Sequence, residues 1–197
     1  MITDHERDYY FGASDTHYIM GSYDTETFKR WWAIKQGLAE NEVDNIYTRA
    51  GSLYESEILN FLNVEVRDSQ KIIGRLRVNL DGMTDEAIIE CKTYQLAKGF
   101  KLTKAYREQV QVEMYAFLMD KCVIASYGLL PSEYELAEYG ITNPCEADRM
   151  DFYSFDYDEE WIENEYLPRL HYLSRCLDED RMPSNEGRDN EIKISEC

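Results

Sequence analysis

Apolar positions along this chain switch between two periods. From Thr25 to Gly37 (TETFKRWWAIKQG), Phe28, Trp31 and Trp32 recur at helical spacing. Asp24 and Thr25 suit an N-cap, and Gly37 suits a stop. From Ile46 to Asn63 a stripe of Ala50, Tyr54, Ile58 and Leu62, with Leu59 beside it, predicts a second helix. The period then drops to two. Residues 71–80 (KIIGRLRVNL) and 86–93 (EAIIECKT) read as two strands joined through the turn-forming DGMTD. Lys104 to Asp120 predicts a third helix with Tyr106, Val110, Met114, Phe117 and Leu118 facing inward. Residues 122–130 and 150–157 read as further strands, separated by an irregular, acidic connection over 131–148. A last helix over 158–177 contains Pro168, which predicts a kink or a break. Residues 1–177 therefore read as one domain, and 178–197 as a polar, mobile tail.

Composition narrows the class. Sixteen tyrosines in 197 residues belong to a chain that folds around a core. No window is apolar for the ~18 residues that a membrane span needs. The opening MITDHERDYY lacks the apolar centre of a signal peptide, so the expected location is cytoplasmic. Cys91, Cys122, Cys145, Cys176 and Cys197 are scattered without a CxxC pair, and His5, His17 and His171 show no ligand spacing. The net charge of −18 lowers the expectation of a nucleic-acid partner. Its distribution is uneven, however. Arg75, Arg77, Lys92, Lys98, Lys101, Lys104 and Arg107 form a basic middle, while 146–191 is rich in carboxylates. A basic lining inside an acidic shell fits both facts.

The chemistry concentrates in LDGMTDEAIIECK, residues 80–92. On a strand Glu90 and Lys92 point to one side, and Ile89 and Cys91 to the other. The hairpin brings Asp81 near Glu90, and two adjacent carboxylates repel unless a proton or a cation sits between them. Oxygen donors select a hard ion such as Mg²⁺ or Mn²⁺, which lowers the pKa of a bound water and neutralises a phosphodiester. Lys92 would orient or deprotonate that water. Glu55 borders the apolar face of the second helix, where Gly51 permits close approach of a neighbouring backbone. Gln109 and Gln111 flank the inward stripe of the third. A surface salt bridge on an edge strand explains Glu90 and Lys92 equally well, and the hairpin alone does not choose.

Taken together, these segments resemble the PD-(D/E)XK nuclease superfamily, in its lambda exonuclease or YqaJ-like branch, over roughly residues 7 to 130. FGASDTHYIMG and WAIKQG look like that family's N-terminal segment and first helix ending. AGSLYES is similar to its G-x-x-x-E helix, NLDG to S-P-D-G, IIECK to L-E-x-K, and AYREQVQVEMY to Y-x-x-Q-V-Q-x-x-M-(Y/W). The resemblance implies a restriction-endonuclease-like α/β fold, a mixed central sheet flanked by helices. It implies two Mg²⁺ or Mn²⁺ ions on Asp81, Glu90, the Cys91 backbone carbonyl and Glu55, with Lys92 and Gln109 as catalytic partners.

It further implies a 5′-to-3′ exonuclease on linear double-stranded DNA in phage-type recombination. A ring-shaped trimer and a single-strand annealing partner come with that reading, as does a phage- or prophage-encoded origin in a bacterial cell. Arg7 and Ser14 occupy the places of the family's 5′-phosphate pocket, with Gln111 and Asn79 as further candidates. Asn79 stands where the family has serine, and Leu80 where it has proline, which puts 5′-phosphate selectivity in question. Two rivals remain: a RecB- or Cas4-like nuclease of other polarity, which in the Cas4 case lacks its clustered cysteines here, and an acidic DNA mimic or inhibitor on a nuclease-like fold.

Overall fold

The computed structural model describes residues 9–40 and 45–195. In chain order these form β1 (Phe11–Gly12), α1 (Thr16–Ile19), α2 (Glu26–Lys35), α3 (Ile46–Phe61), β2 (Val66–Ile73), β3 (Leu76–Met83) and β4 (Ile88–Gln95). Then follow α4 (Lys104–Phe117), β5 (Lys121–Leu129), α5 (Pro131–Glu138), β6 (Met150–Asp156), α6 (Glu159–Trp161), α7 (Leu167–Asp178) and α8 (Asn185–Ser195).

The strands build one mixed sheet in the order β1-β3-β4-β5-β6, with β2 hydrogen-bonded along β3. β4 and β5 run parallel, which requires a crossover, and α4 supplies it. Helices cover both faces, as expected for this fold class. On one face Leu76, Val78, Leu80, Ile88, Cys122 and Ile124 pack with Trp32, Val110, Met114 and the α7 residues Leu170 and Leu173. On the other, Ile89, Ala125, Tyr127 and Leu129 pack with Ala50, Tyr54, Ile58 and Leu59 of α3 and Tyr134 of α5.

Side-chain caps set the helix starts that matter for the site. The Asn45 carboxamide accepts from the Tyr47 and Thr48 N–H groups at the start of α3, and the Thr103 hydroxyl accepts from Tyr106 N–H at the start of α4. Thr25 caps α2 in the same way, and Gly37, at φ +68°, follows its end.

Several sequence expectations need correction. Residues 71–80 are not one strand: Gly74, at φ +56°, turns the chain so that β2 and β3 form their own hairpin. Asp81 and Gly82 stay within β3, and the turn into β4 falls at Thr84–Ala87, where Thr84 N–H donates to the Ala87 carbonyl. Leu118 is 84% exposed because α4 ends there in a left-handed residue, φ 58°. The connection after β5 contains a helix, α5, which Pro131 starts without forfeiting a needed hydrogen bond. Around Pro168 the final helix widens into a π turn over Ile162–Tyr166 before α7. Beyond it, α8 starts at Asn185, whose carboxamide accepts from Tyr23 N–H and donates to Ser22 and Asp24.

Gly82 decides how close α3 lies to the sheet. A Cβ built there would stand 2.7 Å from Leu59 Cδ2 and 2.9 Å from Val64 Cγ1. The missing side chain lets α3, which carries Glu55, approach β3. We expect Gly82→Ala to cost about 1–3 kcal/mol through overpacking, read as a lowered midpoint in urea unfolding. An unchanged midpoint would remove the close-approach role.

Candidate active site

The sheet opens at one place. β3 and β4 pair only at Gly82–Ile89 and Met83–Ile88, whereas β4 and β5 pair along their full length. The side-chain alternation of β3 breaks at the same point. Leu80 packs into the first core, yet Gly82, two residues on, faces Leu59 and Val64 of the second. On the neighbouring strand Asp68 takes φ +51°. With β3 turned away, the Cys91 N–H has no ladder partner on it, and the Asp81 carboxylate accepts that bond at 2.8 Å.

A cleft of about 440 Å³ fills this opening. It is lined by Thr48, Gly51, Ser52, Glu55 and Ile58 from α3, Asp81 from β3, Glu90 to Thr93 from β4, and Tyr106 from α4. Because the sheet is split, groups from both of its faces reach the same space. A Cβ on Gly51 would lie 3.4 Å from Thr93 Oγ1, so the glycine spares a β4 side chain and not a backbone. Glu90 and Lys92 share one face, as alternation predicts. Lys92 Nζ donates to Glu90 Oε1 at 2.5 Å and to Gln109 Oε1 at 3.5 Å, and it lies 5.0 Å from the centre of the Tyr106 ring. Gln109 Nε2 donates to Glu90 Oε1 at 2.6 Å and to Glu113 Oε1 at 2.8 Å.

Negative charge is crowded here and poorly solvated. Burial first, then the charges of Glu90 and Glu55, push the Asp81 carboxyl up to about 8. Burial likewise raises Glu55, helped by Glu90 and Asp68. Glu113 is fully buried and is raised well above the usual carboxylate range, by burial and then by Glu90. For Lys92 burial acts to lower the pKa, but the charge and hydrogen bond of Glu90 outweigh it, so the amine is held as a cation. It is therefore placed beside Glu90 to orient a group and to neutralise charge. Among the described residues no three Asp, Glu, His or Cys groups are drawn in to ligand spacing. Glu90 is instead hooked back to Lys92 and Gln109, and Asp81 to the Cys91 N–H.

Glu55, Asp81, Glu90, Cys91, Lys92 and Gln109 thus converge on one cleft or its wall. Gln111 does not: its amide accepts from Asp158 N–H and donates to the Asp156 carbonyl, which ties α4 to the end of β6. Ser14 lies in the turn after β1, next to Gly12. Asn79 is exposed on β3 and accepts from Gln70 Nε2. Arg7 lies outside the described residues. Sequence reasoning missed Glu113, whose only signal is its position one turn beyond Gln109 on the same helix face. It also missed Asp68, which reaches the site electrostatically from the β2–β3 hairpin.

No family model matches the chain, and no curated protein matches it in sequence. Solved structures share its fold. An alkaline exonuclease (LHK-Exo) from Laribacter hongkongensis superimposes with a TM-score of 0.63 at 17% identity, covering 90% of this chain and 95% of that one. The same protein in complex with dAMP gives 0.62 at 17% identity, over 89% and 93%. A phage-related exonuclease from Haemophilus somnus 129PT gives 0.62 at 14% identity, over 97% and 99%.

The raised Asp81 carboxyl gives a pH signature. Folded, it holds a proton that the unfolded chain releases near 3.8, so between about pH 4 and pH 8 its contribution to stability falls as pH rises. Asp81→Asn keeps an acceptor for Cys91 N–H and removes the charge. In chelator we expect this variant to melt above wild type at pH 8, with the gap closing towards pH 4. A gap that does not change with pH would contradict the assignment.

Proposed function

We propose that this chain, which shares its fold with those exonucleases, is a metal-dependent deoxyribonuclease that degrades linear double-stranded DNA from its ends in the 5′-to-3′ direction. The observation that carries the reading is the convergence of Glu55, Asp81, Glu90 and Lys92 on one cleft, with Gln109 bonded to Glu90 and Lys92 from a fourth element. An acid-rich wall with one lysine has no packing rationale, because desolvated like charges destabilise a fold. It fits a hard cation, since every candidate donor is oxygen and burial, reinforced by the neighbouring acids, raises both Asp81 and Glu55.

Asp81, Glu90, the Cys91 carbonyl and Glu55 would hold Mg²⁺ or Mn²⁺, two ions in this reading. Such ions supply a bound water of lowered pKa and neutralise charge on the phosphodiester. Lys92 holds a positive charge beside Glu90, where it can orient the attacking water and stabilise the negative charge that develops on phosphorus-bound oxygen. Gln109 spans Glu90 and Lys92 and fixes their separation. Tyr106 walls the cleft under the ammonium, which keeps that charge out of bulk water. Recognition of a 5′-phosphate would fall to Ser14 and Asn79, with Arg7, and this is what would set polarity. The same reading extends to a ring of three copies around DNA, with the basic segment inward and the acid outward, and to an annealing partner in phage-type recombination within a bacterial cell.

The charge of −18 favours a second reading, an acidic DNA mimic that keeps the fold. A lysine buried among carboxylates counts against it, since a mimic gains nothing there.

We expect wild type with Mg²⁺ or Mn²⁺ to digest linear duplex and leave covalently closed circles intact, and Lys92→Ala to lose about 100-fold or more in rate. Cut circles would remove the exonuclease assignment. Intact linear DNA with either 5′ end would remove the enzyme and leave the mimic. Mn²⁺ is expected to raise the melting temperature of wild type and not of Asp81→Asn.

A further inference from the structure

Glu113 is a buried acid that the mechanism above does not use. It is 0% exposed, its Oε1 accepts from Gln109 Nε2 at 2.8 Å, and its Oε2 has no partner among the described residues. An unsatisfied buried carboxyl oxygen costs stability, and such groups persist where they have a task. The surrounding side chains indicate the task. Lys92 can only donate, so the Gln109 oxygen must face it, while Glu90 accepts at the Gln109 nitrogen. That nitrogen has two protons, and Glu113 takes the second from one helical turn away.

We propose that Glu113 is a positioning residue: from beneath the cleft it clamps the Gln109 amide, and through it the spacing of Lys92 and Glu90. Its one hydrogen bond among the described residues is to Gln109, so its geometric hold on Lys92 and Glu90 runs through that amide. Without it Gln109 keeps a single anchor at its nitrogen and can swing off its 3.5 Å contact with Lys92. Burial and the nearby Glu90 charge favour the neutral carboxyl, so glutamine is a close isostere at this position. The kinetic part of the inference rests on the nuclease reading. The geometric part does not.

The test compares wild type, Glu113→Gln and Glu113→Met in three measurements. Steady-state digestion of linear duplex should show Glu113→Met reduced about tenfold or more in kcat with KM nearly unchanged, because a misplaced group costs rate and not affinity. Glu113→Gln should stay within about threefold of wild type. Thermal melts should place Glu113→Met at or above wild type, since it removes an unsatisfied buried oxygen. Side-chain amide resonances of Gln109 should be sharp and distinct in wild type and Glu113→Gln, and averaged in Glu113→Met. A Glu113→Met protein with wild-type kcat, or one whose rate falls only in step with its melting temperature, would overturn the proposal. So would unaltered Gln109 resonances. If no variant cuts DNA, the nuclease reading falls, and the Gln109 resonances still decide whether Glu113 clamps the amide.

Discussion

The structure depends on a single hydrogen bond across a split sheet. β3 must pair with β2 on one side and still leave β4, so β4 loses its ladder partner just where Cys91 begins. A buried backbone N–H left unpaired there would cost about 1–3 kcal/mol. Asp81 supplies the acceptor from its side chain, which lets the sheet open without stranding the amide. Everything that lines the cleft follows from that opening. α3 reaches in from one face with Glu55 because Gly82 has no side chain, and α4 reaches in from the other with Gln109.

The same bond carries an electrostatic cost. Its acceptor is an acid in a low-dielectric place next to two others, so it keeps a proton up to about pH 8, and the fold loses stability as pH rises towards that value. Lys92 offsets part of this for Glu90. The remainder is the kind of instability that folds retain where binding of a ligand can relieve it. Outside the cleft the chain is acidic as a whole, and between Thr93 and Arg107 it has no Asp or Glu at all, with Lys98, Lys101, Lys104 and Arg107 exposed. The charge is thus sorted, not merely abundant.

How much of this the sequence discloses varies with the physical origin of each feature. Amphipathic periods located α2, α3 and α4, and alternation put Glu90 and Lys92 on one face, because burial at fixed spacing leaves a local record. The break at Gly74 was lost because Leu76, Val78 and Leu80 continue the apolar run across it, and a single glycine inside a strand pattern is an ambiguous mark. Leu118 looked like a core residue because periodicity does not reveal where a helix stops. Gln111 was grouped with Gln109 by motif, although two residues along a helix face different ways. Glu113 was invisible for a different reason: an acid buried in the interior contradicts composition rules, and only three-dimensional context explains it.

A buried acid away from the cleft shows that the cleft carboxylates are not an accident of burial. On the far side of the sheet Glu133 is as inaccessible as Glu90, but Arg149 donates to both its oxygens, at 2.6 and 3.2 Å, and Tyr54 and the Leu130 N–H complete the set. Burial would raise its pKa, yet these donors outweigh it and hold the carboxyl below the usual value. The chain can therefore satisfy a buried acid fully when the purpose is to lock α5 to the 3-10 turn that precedes β6. Around Asp81 and Glu55 it does not do so, although Lys92 and Gln109 stand within reach of Glu90. The difference lies in what each set leaves free: Glu133 has no acceptor capacity to spare, whereas the cleft presents carboxylate oxygens to open space. Only the second arrangement leaves room for a cation and a phosphate to complete it.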